Sequence, residues 1–211
     1  SDGVASFTAV YDQLGLKSSI DIVDGFLDTD WFPHSIEGIS TQVTVTDKKY
    51  QIERLQARVG GGDTVVSGSI DSENLNPTNF NLSIGFNNGQ IRLLDFLPPV
   101  YGSAELKLTG APEYPMLSGD VVVKEMNFTE RIDWEDTVLT FAPSALVGSQ
   151  VEDDRGYFSY DLNVVADNTI RIRNNLADVY GSADLKFIGD LAKPGMLGDI
   201  KISEGGRALF K

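Results

Sequence analysis

The stretch VYGSAELKLTG at Val100–Gly110 decides the fold, because the chain repeats it. The stretch VYGSADLKFIG at 179–189 aligns with it without a gap, at an offset of 79 residues (from 100 to 179). Over 100–121, 11 of the 22 positions are identical at that offset. Chance does not produce such agreement, so the chain contains two copies of one unit, at about 100–126 and 179–205.

Each unit predicts a strand, a turn that carries a proline, and a second strand that begins at Gly-Asp. Pro115 aligns with Pro194, and Gly119 aligns with Gly198. A unit of this kind cannot bury its own apolar face, so copies stack edge to edge along an axis. The repeat therefore predicts an elongated sheet, and a weaker echo of it lies at 66–70.

Hydrophobicity alternates with period two along most of the chain. The runs 39–45, 80–86 and 158–164 are typical, with apolar residues separated by polar neighbours. Turn-forming residues lie between the runs, at 60–63, 87–89 and 204–206. The pattern predicts an all-β chain of twelve to fifteen strands in a single domain, 1–211, with helix only near 7–14 and 174–178.

Composition excludes several classes of function. The chain has 31 acidic and 17 basic residues and a net charge of −14. Nucleic-acid binding is excluded, since it depends on Lys and Arg that displace counterions from phosphates. The absence of cysteine removes disulfides, thiol nucleophiles and cysteine zinc sites, and the single histidine, His34, cannot form a multi-histidine metal site.

No motif for catalysis, cofactor or metal binding is present, so we expect neither an enzyme nor a cofactor. The acidic clusters at 21–30, 133–136 and 152–154 offer carboxylates for glycoside hydrolysis, but their spacing favours no pair. They also lack the calcium-loop pattern, and we interpret them as residues of turns and polar sheet faces. The glycines at 60–62 predict a hairpin turn, because no Gly-Lys-Ser/Thr follows them.

The apolar residues of the alternating runs form the candidate site. They fall on one parity of their strands, as expected for one continuous apolar face. Alternation alone favours a closed β-sandwich core, whereas the repeat favours a curled, stacking sheet with an apolar interior groove. The residues predicted to line this groove are Leu55, Val66, Phe80, Leu82, Ile84, Phe86, Leu106, Leu108, Val121, Val123, Leu139, Phe141, Phe158, Tyr160, Leu162, Val164, Leu185, Phe187, Ile200 and Ile202.

The order of several short motifs resembles the TamB family, the inner-membrane subunits of the translocation and assembly module. Val100–Gly110 followed by PMLSGDV at 115–121 resembles a repeated element of that family, and RNNLADV at 173–179 resembles the segment ahead of its next repeat. Upstream, the stretches at 36–39, 52–62 and 66–70 are similar to segments shared with the wider AsmA-like group. The resemblance covers roughly 20–211, and residues 1–17 match nothing in it.

This resemblance implies a periplasmic segment of a longer protein that is anchored in the inner membrane. It implies a taco-like folded sheet whose groove shields phospholipid acyl chains in transport between the inner and outer membranes. The implied partners are those acyl chains and, through the full-length protein, an outer-membrane partner of the Omp85 type, similar to TamA.

Two alternatives stay open at this point. In the first, the groove acts as a chaperone that holds unfolded outer-membrane β-barrel proteins during assembly. In the second, the chain is a carbohydrate-binding β-sandwich with a closed core and an exposed aromatic platform at Trp31 or Trp134.

Overall fold

Strands and the turns that join them make up the residues that the structure, a computed structural model, describes: 4–12, 15–29, 32–91, 98–129, 158–175, 177–190, 194–204 and 206–208. These residues form strands without helices, which confirms the predicted fold class. The twelve strands are β1 (Val4–Asp12), β2 (Gly15–Thr29), β3 (Phe32–Thr46), β4 (Lys49–Val59), β5 (Gly62–Glu73), β6 (Asn76–Ile91), β7 (Val100–Gly110), β8 (Met116–Phe128), β9 (Ser159–Arg173), β10 (Ala177–Asp190), β11 (Pro194–Ile202) and β12 (Arg207–Ala208).

All twelve strands belong to one sheet, in which β1 to β11 lie in chain order. Neighbours pair antiparallel, with the exception of β8 and β9, which run parallel. The short β12 pairs with β10, beyond the end of β11. The sheet is curled and unclosed, and a sheet in which strands follow one another in chain order grows along one axis, as the repeat predicts.

Glycines in the middle of strands have the same unusual backbone conformation at equivalent positions of the repeat. Gly119 has φ 137° and Gly198 has φ 130°, a conformation that residues with a Cβ rarely adopt. A Cβ on Gly119 would lie 2.1 Å from the carbonyl oxygen of Glu105, and one on Gly198 would lie 2.1 Å from that of Asp184. The glycine of each Gly-Asp pair is therefore required by the close approach of the neighbouring strand.

The structural repeat is longer than the sequence repeat, because each copy includes the strand before it. In β6, Asn88 has φ 54° at a bulge, and in β9, Asn168 has φ 54° at a bulge. The Asn88 N–H donates to Ser103 Oγ at 3.2 Å, and the Asn168 N–H donates to Ser182 Oγ at 2.8 Å. The unit therefore has three strands, β6 to β8 in the first copy and β9 to β11 in the second.

Three local predictions are wrong. The helices near 7–14 and 174–178 are absent from the described residues there, since Phe7 pairs with Ile20 in the β1–β2 ladder and 174–175 form a bend between β9 and β10. The segment 87–89 is a bulge within β6 and not a turn, because the asparagine accepts a positive φ without ending the strand.

The predicted start of the second strand of each repeat is also wrong. In the structure this strand begins ahead of the Gly-Asp pair, at Met116 in the first copy and at Pro194 in the second. The turn ends at the proline, so the ladder begins at the proline itself or at the residue after it. The prediction for the acidic stretch 152–154 lies outside the described residues.

Candidate functional site

One row of directly paired residues crosses ten strands from β2 to β11. Side chains of directly opposed residues project from the same face of a sheet. The row contains no charged residue, and its members are Ile22, Thr41, Leu55, Val66, Ile84, Leu106, Gly119, Leu162, Phe187 and Met196. We call the side of the sheet that carries this row the apolar face.

Two further rows flank it on the same face, two residues away along each strand, or three in β4 where a bulge lies between Ile52 and Leu55. The first crosses nine strands without a charged residue, through Ile20, Val43, Ile52, Gly68, Leu82, Leu108, Leu117, Tyr160 and Gly189. The second contains Ala57, Thr64, Phe86, Ala104, Val121, Val164, Leu185 and Gly198. Together the three rows make a continuous apolar surface across the sheet.

The opposite side of the sheet, which we call the polar face, carries charged and amide side chains. There Asn163 Nδ2 donates to Asp120 Oδ1 at 2.8 Å, across the parallel β8–β9 pair. Lys186 Nζ lies 3.1 Å from Asp161 Oδ1, in an ion pair between β9 and β10. Such exposed pairs contribute little stability, so their main consequence is a hydrated face.

The two faces differ in exposure although no second layer covers either of them in the described part of the chain. Along β7, Ala104, Leu106 and Leu108 are half-buried while Glu105 and Lys107 are exposed. In a flat single sheet both faces would be equally accessible. The difference along β7 is the one expected if the apolar face lies on the inner side of the curled sheet.

The apolar face is not a sealed core. Among the described residues no large side chain is fully buried, and the buried apolar residues are mostly small, such as Ala166 and Ala183, which contact Val123. A closed sandwich would bury its large inward side chains almost completely. The carbohydrate-binding sandwich is therefore inconsistent with the single described sheet, and Trp31 and Trp134 lie outside the described residues.

The register places most of the predicted site residues on the apolar face. They are Leu55, Val66, Phe80, Leu82, Ile84, Phe86, Leu106, Leu108, Val121, Val123, Tyr160, Leu162, Val164, Leu185, Phe187, Ile200 and Ile202. Phe158 directly precedes β9, while Leu139 and Phe141 lie outside the described residues. Whether these side chains contact a ligand stays a prediction.

Sequence reasoning missed the continuation of the apolar face into the first strands. Ile20 and Ile22 of β2, Val43 of β3 and Ile52 of β4 lie in the same rows. The signal was available, because the run at 39–45 alternates in the same way as the later runs. It was obscured by bulges in β2, β3 and β4, which interrupt the parity along each strand.

Tyr160 is the one described group on the apolar face with a resolved pKa shift. Burial raises the pKa of its phenol, and the negative charge of Asp190 raises it further. Its hydroxyl donates to the backbone carbonyl of Asp190 at 3.2 Å. Both effects keep this tyrosine neutral, so it adds no charge to the apolar face.

The described residues contain no group of three or more acidic or histidine side chains that could hold a metal ion. A shallow depression of about 580 Å³ is lined by Phe26 and charged residues of the polar face, among them Glu37, Arg58 and Asp63. These charges follow one another across β3, β4 and β5. The depression therefore lies mainly on the polar face, although Ala57 of the apolar face also lines it.

A helical segment that could span a membrane is not found among the described residues. No curated protein and no solved structure matches the chain significantly. A family model, that of the TamB C-terminal domain, matches residues 53–211, which include the whole repeat and all strands from β5 onward. The matched region covers most of the chain and contains the rows of the apolar face from Leu55 to the last strand, so the chain belongs to the TamB family.

Proposed function

We propose that the apolar face is a groove that shields phospholipid acyl chains in transport between the inner and the outer membrane. The observation that supports this proposal is the pair of uncharged rows that crosses the sheet from β2 to β10, one of which continues to Met196 in β11. With about 4.8 Å between strands, ten strands provide a path of roughly 43 Å.

The energetics of such a groove suit movement better than tight binding. A buried methylene contributes about 0.8 kcal/mol, so an acyl chain of about 16 carbons gains about 12 kcal/mol before ordering costs. Because hydrophobic burial is non-directional, a uniform wall holds the chain without fixing its position. No covalent chemistry and no cofactor is needed.

The polar face and the charge of the chain fit a segment surrounded by water. The net charge of −14 keeps such a segment soluble and keeps anionic headgroups outside the groove. Within the full-length protein, the segment would lie in the periplasm between an inner-membrane anchor and an Omp85-type, TamA-like partner in the outer membrane. Family membership supports this location.

The strongest test places a charge in each copy of the repeat. In Leu106→Asp and Leu185→Asp, a carboxylate would project from the apolar face, where it disfavours contact with acyl chains. We expect phospholipid in organic extracts of the gently purified protein, measured by mass spectrometry, to fall at least about tenfold per mole of protein.

The matched control is Ser83→Asp, which adds the same charge on the polar face, one residue from Leu82 and Ile84. It should retain the lipid content of the unmodified chain. Circular dichroism and thermal unfolding establish that each variant is folded. Folded Leu106→Asp protein that carries normal amounts of lipid would contradict the groove.

In the chaperone alternative the same apolar face binds unfolded outer-membrane β-barrel proteins instead of acyl chains. A photo-crosslinking amino acid at Leu106 or Phe187, compared with one at Lys107 on the polar face, separates the two functions. Lipid adducts at the first two positions favour transport. Adducts with outer-membrane β-barrel proteins at those positions favour the chaperone.

A further inference from the structure

Three arginines lie around one aspartate on the polar face, beside the connection between β9 and β10. Asp178 of β10 is directly opposed by Arg173 of β9 on one side and by Arg207 of β12 on the other. Side chains of directly opposed residues project from the same face, so these three form a row across neighbouring strands. Arg171 lies two residues from Arg173 along β9, and its Nη2 is 3.4 Å from Asp178 Oδ1. We call Arg171, Arg173 and Arg207 the arginine cluster.

The arginine cluster is a local concentration of positive charge in an acidic chain. Arg171 donates to Asp178 Oδ1 through Nε and Nη2, each at 3.4 Å, and Arg173 Nε lies 4.0 Å from Asp178 Oδ2. On the next strand, β8, the residue opposite Arg171 is the neutral Asn127, whose amide donates to Glu125 Oε1 at 2.7 Å. Three guanidinium groups therefore surround one carboxylate, although the chain as a whole has a net charge of −14.

The arginine cluster has more N–H donors than Asp178 can accept. Each guanidinium carries about five donors, whereas an ionised carboxylate has about four acceptor positions. The side chain of Arg173 is 66% exposed and that of Arg171 is 33% exposed, so surplus donors are accessible to water. Like charges at close range also repel one another. A bound anion with several oxygens would accept the surplus donors and offset this repulsion.

An aromatic ring orients one of the guanidinium groups. Arg171 Cζ lies 5.1 Å from the centroid of the Tyr180 ring, and the two residues are directly opposed on β9 and β10. Arginine stacks on an aromatic ring through its planar face and still presents N–H groups at its edge to an anion. Because this contact and the bonds to Asp178 already restrict Arg171, the side chain loses less freedom when it binds.

The first copy of the repeat forms the same strands without these charges. Tyr101 is the counterpart of Tyr180, but the residue opposite it on β6 is Gln90, where the second copy has Arg171. At the offset of 79 residues, Pro99 stands where the second copy has the aspartate. Tyr101, Gln90 and Pro99 line a shallow depression of about 450 Å³ there. The shared strand plan therefore does not require the arginine cluster, which points to a role in binding.

We propose that the arginine cluster binds a phosphate group. Arginine recognises phosphate through paired N–H···O bonds, and a phosphate has several oxygens to share among the three guanidinium groups. The cluster also borders the apolar face, since Val179, which follows Asp178, projects from that face and is 9% accessible. The phosphate belongs either to a lipid headgroup whose acyl chains lie in the groove or to a free phosphate ion. The first source rests on the proposed function, and the second does not.

Inorganic phosphate tests the chemistry without any lipid. We expect saturable binding in isothermal titration calorimetry of the whole chain, in chloride buffer of constant ionic strength. Arg171→Gln, which introduces the residue of the first copy, should weaken binding about tenfold or more. Arg173→Gln should weaken it about threefold or more, and it serves as the test if Arg171→Gln does not fold by circular dichroism.

The matched control is Arg58→Gln, which removes the same charge from the polar face on β4. It should change phosphate binding by less than about twofold, because β4 and β9 are not neighbours in the sheet. Leu106→Asp is a second control, since it alters the apolar face and should leave the binding of inorganic phosphate unchanged. The arginine cluster and the groove can therefore fail separately.

Vesicles distinguish the two sources of the phosphate. Flotation is compared for vesicles of phosphatidylcholine alone and for the same vesicles with added phosphatidic acid, whose headgroup is a phosphate. Binding to the second kind alone, reduced in Arg171→Gln and not in Arg58→Gln, assigns a lipid headgroup. Binding of inorganic phosphate without binding to vesicles assigns a free phosphate ion.

Two results would overturn the proposal. In the first, neither inorganic phosphate nor phosphatidic acid binds to the chain. In the second, Arg58→Gln weakens binding as much as Arg171→Gln and Arg173→Gln do, which would show a general attraction of anions to positive charge instead of a site.

Discussion

The two copies of the repeat, β6 to β8 and β9 to β11, have the same plan and different neighbours. Each contains a bulge with an asparagine at φ 54°, and each has a strand glycine with φ of at least 130°. The first copy lies between β5 and β9, whereas the second ends the described sheet. The comparison separates what the repeated residues determine from what the adjacent strands determine.

The repeated residues determine the backbone geometry of each copy, and the adjacent strands determine the burial of its side chains. The bulge and the positive φ of the glycine recur in both copies because each depends on local residues and on the strand beside it. Ile200 and Ile202 are exposed, whereas Val121 and Val123 are not. The reason is that a sheet without a second layer buries its side chains only against adjacent strands. In such a fold the position in the sheet determines burial.

The largest effect should come from a Cβ at the strand glycines with positive φ, Gly119 and Gly198. Gly119→Ala combines a positive φ with a contact of 2.1 Å to the Glu105 carbonyl, and β8 is held on both sides. We expect a loss of about 3 kcal/mol in the free energy of unfolding. Gly198→Ala should cost about 1 to 2 kcal/mol, because β11 can move away from β10 on its open side.

Urea unfolding measures both losses, and hydrogen exchange locates them in β7–β8 or in β10–β11. Local exchange is informative here because repeat proteins open in segments. Equal losses for the two variants would show that the free edge of β11 does not relax. Ala183→Gly, at a position of β10 that has no positive φ, is a control for the general effect of exchanging these two residues.

A smaller effect is expected at the bulges. Asn88→Ala and Asn168→Ala place an alanine in the left-handed region and should each cost about 1 to 2 kcal/mol. Both substitutions also remove a side-chain contact, with Lys124 in the first copy and with Ser203 in the second. Asn88→Gly and Asn168→Gly remove the same contacts without the backbone strain, because glycine adopts a positive φ at little cost.

The difference between the alanine and glycine variants therefore isolates the backbone strain. It should be the same in both copies, because φ is the same, and thermal or urea unfolding measures it. Glycine variants as unstable as the alanine variants would assign the cost to the lost contacts with Lys124 and Ser203 instead.

The sequence was sufficient to predict the all-β fold and the elongated sheet, since alternation and the repeat are properties of the residues themselves. It was insufficient for the parallel β8–β9 pair, because nothing in the alternation of 116–128 or 159–173 specifies strand direction. Likewise, 87–89 suggested a turn, since an asparagine-glycine sequence suits a hairpin as well as a bulge. The pairing of β6 with β7 on both sides of this segment shows that it is a bulge and not a hairpin turn.

The candidate face was predictable for β5 to β11, where the alternating runs lie between bulges, and less so for β2 to β4, where bulges interrupt the runs. Bulges near Ile22 and Asp24 change the parity inside β2, so apolar residues such as Phe26 fall beside charged residues of the polar face. Parity predicts a face only between bulges, and the sequence does not mark every bulge.

The smallest effect concerns a single hydroxyl in which the two copies differ. Phe80 occupies in β6 the place of Tyr160 in β9, with Gly110 and Gly189 opposite them. Tyr160→Phe removes the hydrogen bond to the Asp190 carbonyl and should lower the free energy of unfolding by about 1 kcal/mol at neutral pH.

The pH dependence of this difference sharpens the comparison. Burial and then Asp190 raise the pKa of the folded Tyr160 phenol above its usual value of 10.0. Above about pH 10 the unfolded chain therefore loses a proton that the folded chain retains, and stability from this group declines as pH rises through the folded pKa. The difference in free energy of unfolding between the unmodified chain and Tyr160→Phe should narrow between about pH 9 and pH 11 in urea unfolding.

A difference that stays constant over this range would show that the phenol is as accessible to water in the folded chain as in the unfolded one. It would place the side chain of Tyr160 outside the inner side of the curled sheet.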